Sequence, residues 1–178
     1  GSVAPHRVLR FTWADGARDS ESLAVDVAAR QVLLADKGRR PVGLYALSLD
    51  DPGPLAEAQR LADLPDLSHG PPPHALSVAA GRWRGTPTAM DLDASGRRLL
   101  LLTGASLSLF RRDAGQDWRA VVQVEPTLQI ALGPIGAHHR GAFEAAAFDV
   151  SGNHVWFGHE GRPAWLYRWT PGSDQTRH

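Results

Sequence analysis

The sequence predicts an all-β fold made of repeated four-stranded units, and three observations predict it. The first is a repeat. Glu21-Ser-Leu-Ala-Val-Asp26, Thr88-Ala-Met-Asp-Leu-Asp93 and Glu144-Ala-Ala-Ala-Phe-Asp149 align on their final aspartates. That alignment brings Glu21, Thr88 and Glu144 into register, and also Val32, Leu99 and Val155. Self-similarity of this kind decides an architecture before any single element does. The second observation is that each copy continues into short apolar runs separated by turn residues. The third is that no credible amphipathic helix appears between them.

Taken in order, Val8 to Trp13 alternates and reads as a strand, and Ala14 to Arg18 as a turn. The first copy then supplies strands at Ser22–Val25, Gln31–Ala35 and Gly43–Leu47. Ala58 to Leu64 reads as a fourth strand or one helical turn. His69-Gly-Pro-Pro-Pro-His74 is a rigid surface loop, and a segment around Ala75 to Ala80 reads as a possible extra strand. The second copy supplies Thr88–Leu92, Arg98–Thr103, Ser106–Arg111 and Trp118–Val124, followed by a long loop from Pro126 to Gly141. The third supplies Glu144–Asp149, His154–Phe157 and Ala164–Trp169. In Asp93-Ala-Ser-Gly96 and Asp149-Val-Ser-Gly152, Asp can accept backbone N–H bonds and Gly takes the positive φ that closes the hairpin. Copy one has Ala29 at the Gly position, so its turn is expected to differ or to carry strain.

Repeated four-stranded antiparallel units are the mark of a β-propeller, and an open β-sandwich has no need of register-matched copies. The inner strand of a blade is covered on both sides, which suits the small residues Ala24, Ala89 and Ala145–Ala147. The expectation is one partial propeller over residues 1–178, with blade one at about 19–64, blade two at about 86–124 and blade three at about 142–169. Residues 7–13 would be the outer strand of a neighbouring blade. Three blades cannot close a ring, since known propellers use roughly 4 to 8. A second copy of the chain or a missing fragment is therefore expected to complete a six-bladed ring, with Val8–Trp13 pairing with Ala164–Trp169 of the other chain.

The pattern Asp19-Ser-Glu21-Ser-Leu-Ala-Val-Asp26, then Gln31-Val-Leu-Leu and Gly43-Leu-Tyr-Ala-Leu47, resembles bacterial six-bladed propellers of the esterase-like phytase and related groups. Glu144-Ala-Ala-Ala-Phe-Asp149, with Gly161 and Trp165-Leu-Tyr167, is similar to a late blade of that family. The resemblance covers most of the chain, but members are about twice as long. It implies a calcium-dependent phosphoester hydrolase, with the acidic residue matching Glu21 and Glu144 at the channel mouth. Thr88 departs from that pattern at the middle position.

Composition narrows the partners. With 19 basic and 19 acidic side chains the formal net charge is zero, which argues against nucleic acid or an acidic membrane surface. There is no cysteine, hence no disulfide framework and no thiolate metal site. No apolar run approaches the roughly 20 residues of a membrane span. Absence of cysteine is compatible with any compartment, a periplasmic or secreted one included. No Gly-x-Ser-x-Gly context and no phosphate-binding glycine loop before a helix is present.

Propeller topology gathers the loop entering each first strand and the loop leaving each second strand on one face. That face would hold Asp19, Glu21, Asp36 and Lys37 from blade one, and His138, His139, Glu144, His159 and Glu160 from blade three. Three uses fit these residues. The carboxylates can cap inner-strand amides. Glu21 and Glu144 can supply oxygen ligands to Ca²⁺, or the histidines can favour a transition metal. His159 and Glu160 are candidates for proton transfer. Lys37, the single lysine, is the clearest cation on this rim. The leading reading is a propeller that binds a small molecule or protein at an acidic, histidine-rich face without turnover. The alternative is the calcium-dependent hydrolase.

Overall fold

The computed structural model describes residues 8–38, 40–50, 53–68, 85–132, 143–160 and 162–172. Blade one is a five-stranded sheet in the order β1-β5-β4-β3-β2, formed by β1 (Phe11–Trp13), β2 (Ser22–Asp26), β3 (Gln31–Ala35), β4 (Gly43–Ser48) and β5 (Ala56–Asp63). Blade two runs β6-β7-β8-β9, from β6 (Pro87–Leu92), β7 (Arg98–Thr103), β8 (Ser106–Arg111) and β9 (Leu128–Ala131). A single helical turn, α1 (Trp118–Val121), lies between β8 and β9. Blade three is three-stranded, with β10 (Phe143–Phe148), β11 (Val155–His159) and β12 (Leu166–Trp169).

Strand β7 explains how the blades stack. Its four consecutive leucines are fully buried because both faces of the strand are covered. Successive side chains on a strand point to opposite faces. Leu99 and Leu101 join Leu33, Leu44, Met90 and Trp118 in the core between blades one and two. Leu100 and Leu102 join Phe143, Val155, Phe157 and Trp169 between blades two and three. Burying each leucine contributes about 1.5–3 kcal/mol. The inner strands follow suit: β6 packs beside both β2 and β10. The three repeats thus radiate from one axis.

Polar bonds pin the blades at both ends. Between blades one and two, Ser106 Oγ donates to the Leu67 carbonyl at 2.7 Å, and the buried Asp26 accepts from Trp118 Nε1 at 3.2 Å. Between blades two and three, Thr88 Oγ1 donates to the Phe143 carbonyl at 2.6 Å, and the Phe148 amide donates to Asp91 Oδ2 at 2.8 Å. Thr88, the departure from the acidic pattern, is therefore a buried joint between sheets.

Three expectations need correction. Strand β1 is not the outer strand of a neighbouring blade. It pairs in parallel with β5 of its own chain, with Phe11 opposite Ala56 and Trp13 opposite Ala58. The cause is Trp13, whose ring meets Tyr45 edge-on at 4.8 Å and is held over blade one. Residues 118–121 form α1 rather than a strand. Asp117 caps it by accepting from the Arg119 amide at 3.0 Å, and Trp118 is buried against blade one. The fourth strand of blade two is β9, inside the segment expected to be loop. The first hairpin turn differs from the other two, as Ala29 implies: the positive φ falls on Arg30, at 50°, one position later, whereas Gly96 and Gly152 carry it at 65° and 69°. The segment Ala75 to Ala80 lies outside the described residues.

Candidate functional site

Hairpin register settles which residues share an end. Ser22 pairs with Ala35, so Glu21 and Lys37 flank one end of the first hairpin. Phe143 pairs with His159, which leaves Glu144 and Glu160 at the matching end of the third. Lys37 forms an ion pair with Glu21, and its backbone N–H donates to the Asp19 carbonyl at 2.8 Å. That bond to Glu21, aided by the charges of Asp19 and Glu144, holds the ammonium pKa above its ordinary value against the effect of burial. Burial, then the carboxylates of Glu21 and Glu160, push Glu144 up, while Lys37 pulls it back. Glu144 of blade three therefore lies within electrostatic range of Glu21 and Lys37 of blade one and of its own neighbour Glu160. Among the described residues, no group of three histidine or carboxylate side chains is placed to hold a metal ion.

Two candidates lie elsewhere. Asp36 is buried and turned into blade one. Its carboxylate accepts from Arg18 at 2.7 Å and from the Gly43 amide at 3.2 Å, and burial pushes its pKa up despite both. His159 is also buried. Its ring lies edge-on to Phe143 at 6.1 Å, and Nδ1 hydrogen-bonds the Glu160 carbonyl rather than a carboxylate. Glu160 itself is exposed. His138 and His139 lie outside the described residues, as do His69, His74, Arg39 and Arg140.

Sequence reasoning missed a charged cluster that fixes the loops of blade one. Arg18 spans Asp15 and Asp36 with its own side chain only 6% exposed. Tyr45 is fully buried, and its hydroxyl lies 2.9 Å from Asp15 and 2.5 Å from Arg60. Burial raises the Asp15 pKa, but hydrogen bonds from Arg18 and Tyr45 and the charges of Arg18 and Arg60 outweigh it and leave the group lowered. Gly43 makes room for this: a Cβ there would lie 2.7 Å from both Arg60 and Tyr45. The isolated glycine opening an apolar strand was the available signal.

Sheets arranged around one axis invite comparison with solved structures. The chain superimposes on the β-propeller domain of Cps50 (Swd1) from Myceliophteria thermophila with a TM-score of 0.50 at 14% identity, covering 86% of this chain and 38% of that one. The chain is a partial β-propeller. A nidogen/laminin complex also matches, at 14% identity and a TM-score of 0.49, over 86% of this chain and 45% of the other. The chain spans less than half the length of either. No protein-family model and no curated protein matches it. No helix among the described residues is long and apolar enough to cross a membrane.

Proposed function

We propose that this partial propeller is a binding module whose acidic opening takes a cationic ligand, either a small molecule or a basic side chain of a protein partner. The observation that carries this reading is the placement of Glu144 and Glu160 at the same hairpin end as Glu21, close enough for the other two carboxylates to raise the pKa of Glu144. Although its side chain remains exposed, partial desolvation disfavours its charge, and the carboxylates of Glu21 and Glu160 add to the effect. An incoming cation relieves that repulsion. Lys37 already offsets part of the charge, but it is bonded to Glu21 on the blade-one side.

The same carboxylates support calcium as the cation, in line with the resemblance to esterase-like phytase propellers. In that reading Glu21 and Glu144 supply oxygen ligands and a phosphate ester is the substrate. His159 is poorly suited to proton transfer, because its ring is packed against Phe143.

The ring is incomplete within these blades. Leu23 and Val25 on β2 are 54% and 45% exposed, and at the other end of the arc Trp156 and Leu166 are 39% and 67% exposed. A second copy or a missing fragment supplying further blades would cover both faces. Two measurements test the proposal. Thermal melts with Ca²⁺ and with a short arginine-containing peptide should show stabilisation that Glu21→Gln and Glu144→Gln each weaken. No stabilisation by either probe overturns the binding reading. Sedimentation showing a stable monomer overturns completion by a second copy.

A further inference from the structure

The end of the molecule opposite the acidic opening carries a second feature. A groove there runs between the hairpin turns of blades two and three, lined by Ser95, Arg97, Arg98, Arg111, Ser151 and Gly152 beside Asp93. We infer that this groove binds an oxyanion, a phosphate or sulfate group carried on a small ligand.

Arg98 is held ready for it. Its Nε donates to Asp93 Oδ2 at 3.0 Å, and its guanidinium carbon lies 5.1 Å from the centre of the Phe148 ring. The outer nitrogens reach over the neighbouring turn, where a Cβ on Gly152 would come within 2.4 Å of one of them. Gly152 also adopts a φ of 69°, in the left-handed region that favours glycine. Asp93 offers the groove little free negative charge. Its two oxygens accept from the amides of Arg97 and Arg98, from Ser95 and from Arg98 Nε.

Arg97 and Arg111 complete the site. Both are exposed, and neither forms an ion pair among the described residues. Arg98 and Arg111 stand directly opposite each other across β7 and β8. Like charges in that position are destabilising. An anion between them turns the repulsion into two charge-assisted bonds. Three guanidinium groups against one saturated carboxylate favour an anionic ligand, and the planar guanidinium fork matches phosphate and sulfate oxygens in pairs. This site is independent of the proposed acidic opening, since it lies at the turn ends of the blade-two and blade-three hairpins.

Titration of the ¹⁵N-labelled protein with inorganic phosphate and with sodium sulfate, against sodium chloride at equal ionic strength, tests the inference. Phosphate or sulfate should shift the amides of Arg97, Arg98 and Gly152 saturably, and chloride should not. Preference between the two salts identifies the group carried by the ligand. Arg97→Gln and Arg111→Gln should each weaken binding about tenfold, the worth of one charge-assisted bond. Arg119→Gln, on the exposed side of α1, should leave it unchanged. Because both groove arginines are exposed, Arg97→Gln should melt like the parent and Arg111→Gln at or above it, since that change relieves the like-charge pair, which separates lost binding from lost folding. Equal responses to all three salts, or unchanged affinity in both groove variants, overturns the inference.

Discussion

The indole N–H of Trp118 donates to the carboxylate of Asp26 at 3.2 Å, across the boundary between blades one and two. Arg112 closes the joint with an ion pair to the same oxygen at 2.8 Å, its guanidinium 4.5 Å from the indole centre. Asp26 is 1% exposed, so its removal leaves a largely buried guanidinium and an indole donor without their acceptor. Asp26→Ala should cost about 3 kcal/mol, as breaking a buried pair does. Asp26→Asn, which keeps one carbonyl acceptor for the indole, should cost less. Urea unfolding at neutral pH reads both. A loss in Asp26→Ala below about 1 kcal/mol, the size of an exposed pair, refutes the joint.

That joint shows where the sequence was legible and where it was not. Asp26 stood out because the repeat aligns it with Asp93 and Asp149, and the hairpins around all three aspartates formed as expected. Its partner did not stand out. Trp118 precedes Arg119-Ala-Val121, a run too short to reveal helical periodicity, and only the Asp117 cap marked the turn. The same contrast holds at the other end of the hairpins. Chain direction within a hairpin fixes the end on which a residue lies, so the sequence could assign Glu21 and Lys37 to one end of the first hairpin and Glu144 to the matching end of the third. It could not tell that Asp36, one residue before Lys37, points inward to Arg18. Side-chain direction at a strand end depends on loops that are remote in sequence.

The first hairpin gives a prediction that runs against the alignment. Gly occupies the third position after the aspartate in copies two and three, so Ala29→Gly looks like a repair. The positive φ in copy one sits on Arg30 instead. Ala29→Gly should therefore lower stability by about 0.5–1 kcal/mol through added freedom of the unfolded chain. Arg30→Asn, a residue tolerant of the left-handed region, should raise it by up to about 1 kcal/mol. The exposed ion pair of Arg30 with Asp50 is a small loss beside this. Denaturant midpoints of the two variants moving in opposite directions confirm the shifted turn.

Thr88 gives a prediction about the family pattern. Thr88→Glu restores an acidic residue at the middle position, yet the side chain is buried and bonded to the Phe143 carbonyl. A carboxylate there loses that donor and is desolvated. Thr88→Glu should destabilise by about 3 kcal/mol or more. Thr88→Val should cost about 1 kcal/mol, the net worth of one hydrogen bond. If Thr88→Glu instead keeps full stability and gains calcium binding, the middle blade belongs to the site after all.

Glu144 ties stability to pH at the opening. Its pKa is raised in the folded chain, first by burial and then by Glu21 and Glu160. A raised carboxyl pKa means that the folded state holds its proton more tightly than the unfolded one. Ionisation therefore works against folding once the pH exceeds the folded pKa, and the penalty disappears below the unfolded value of about 4.3. Glu144→Gln removes that penalty. The variant should melt above the parent at neutral pH, by no more than about 3 °C for a partly solvated group of this size. The difference should shrink as pH falls through the folded pKa and vanish below about 4.3. Asp93 has the opposite sign. Burial raises its pKa, but the amides of Arg98 and Arg97, Ser95 and the Arg98 side chain outweigh it and leave the group lowered. Its contribution is complete above the unfolded value of about 3.9 and is lost only as pH falls through the folded pKa. Melting curves of parent, Glu144→Gln and Asp93→Asn across this range separate the two ends of the molecule. An advantage for Glu144→Gln that persisted unchanged under acid conditions would remove the electrostatic basis for a cation at the opening.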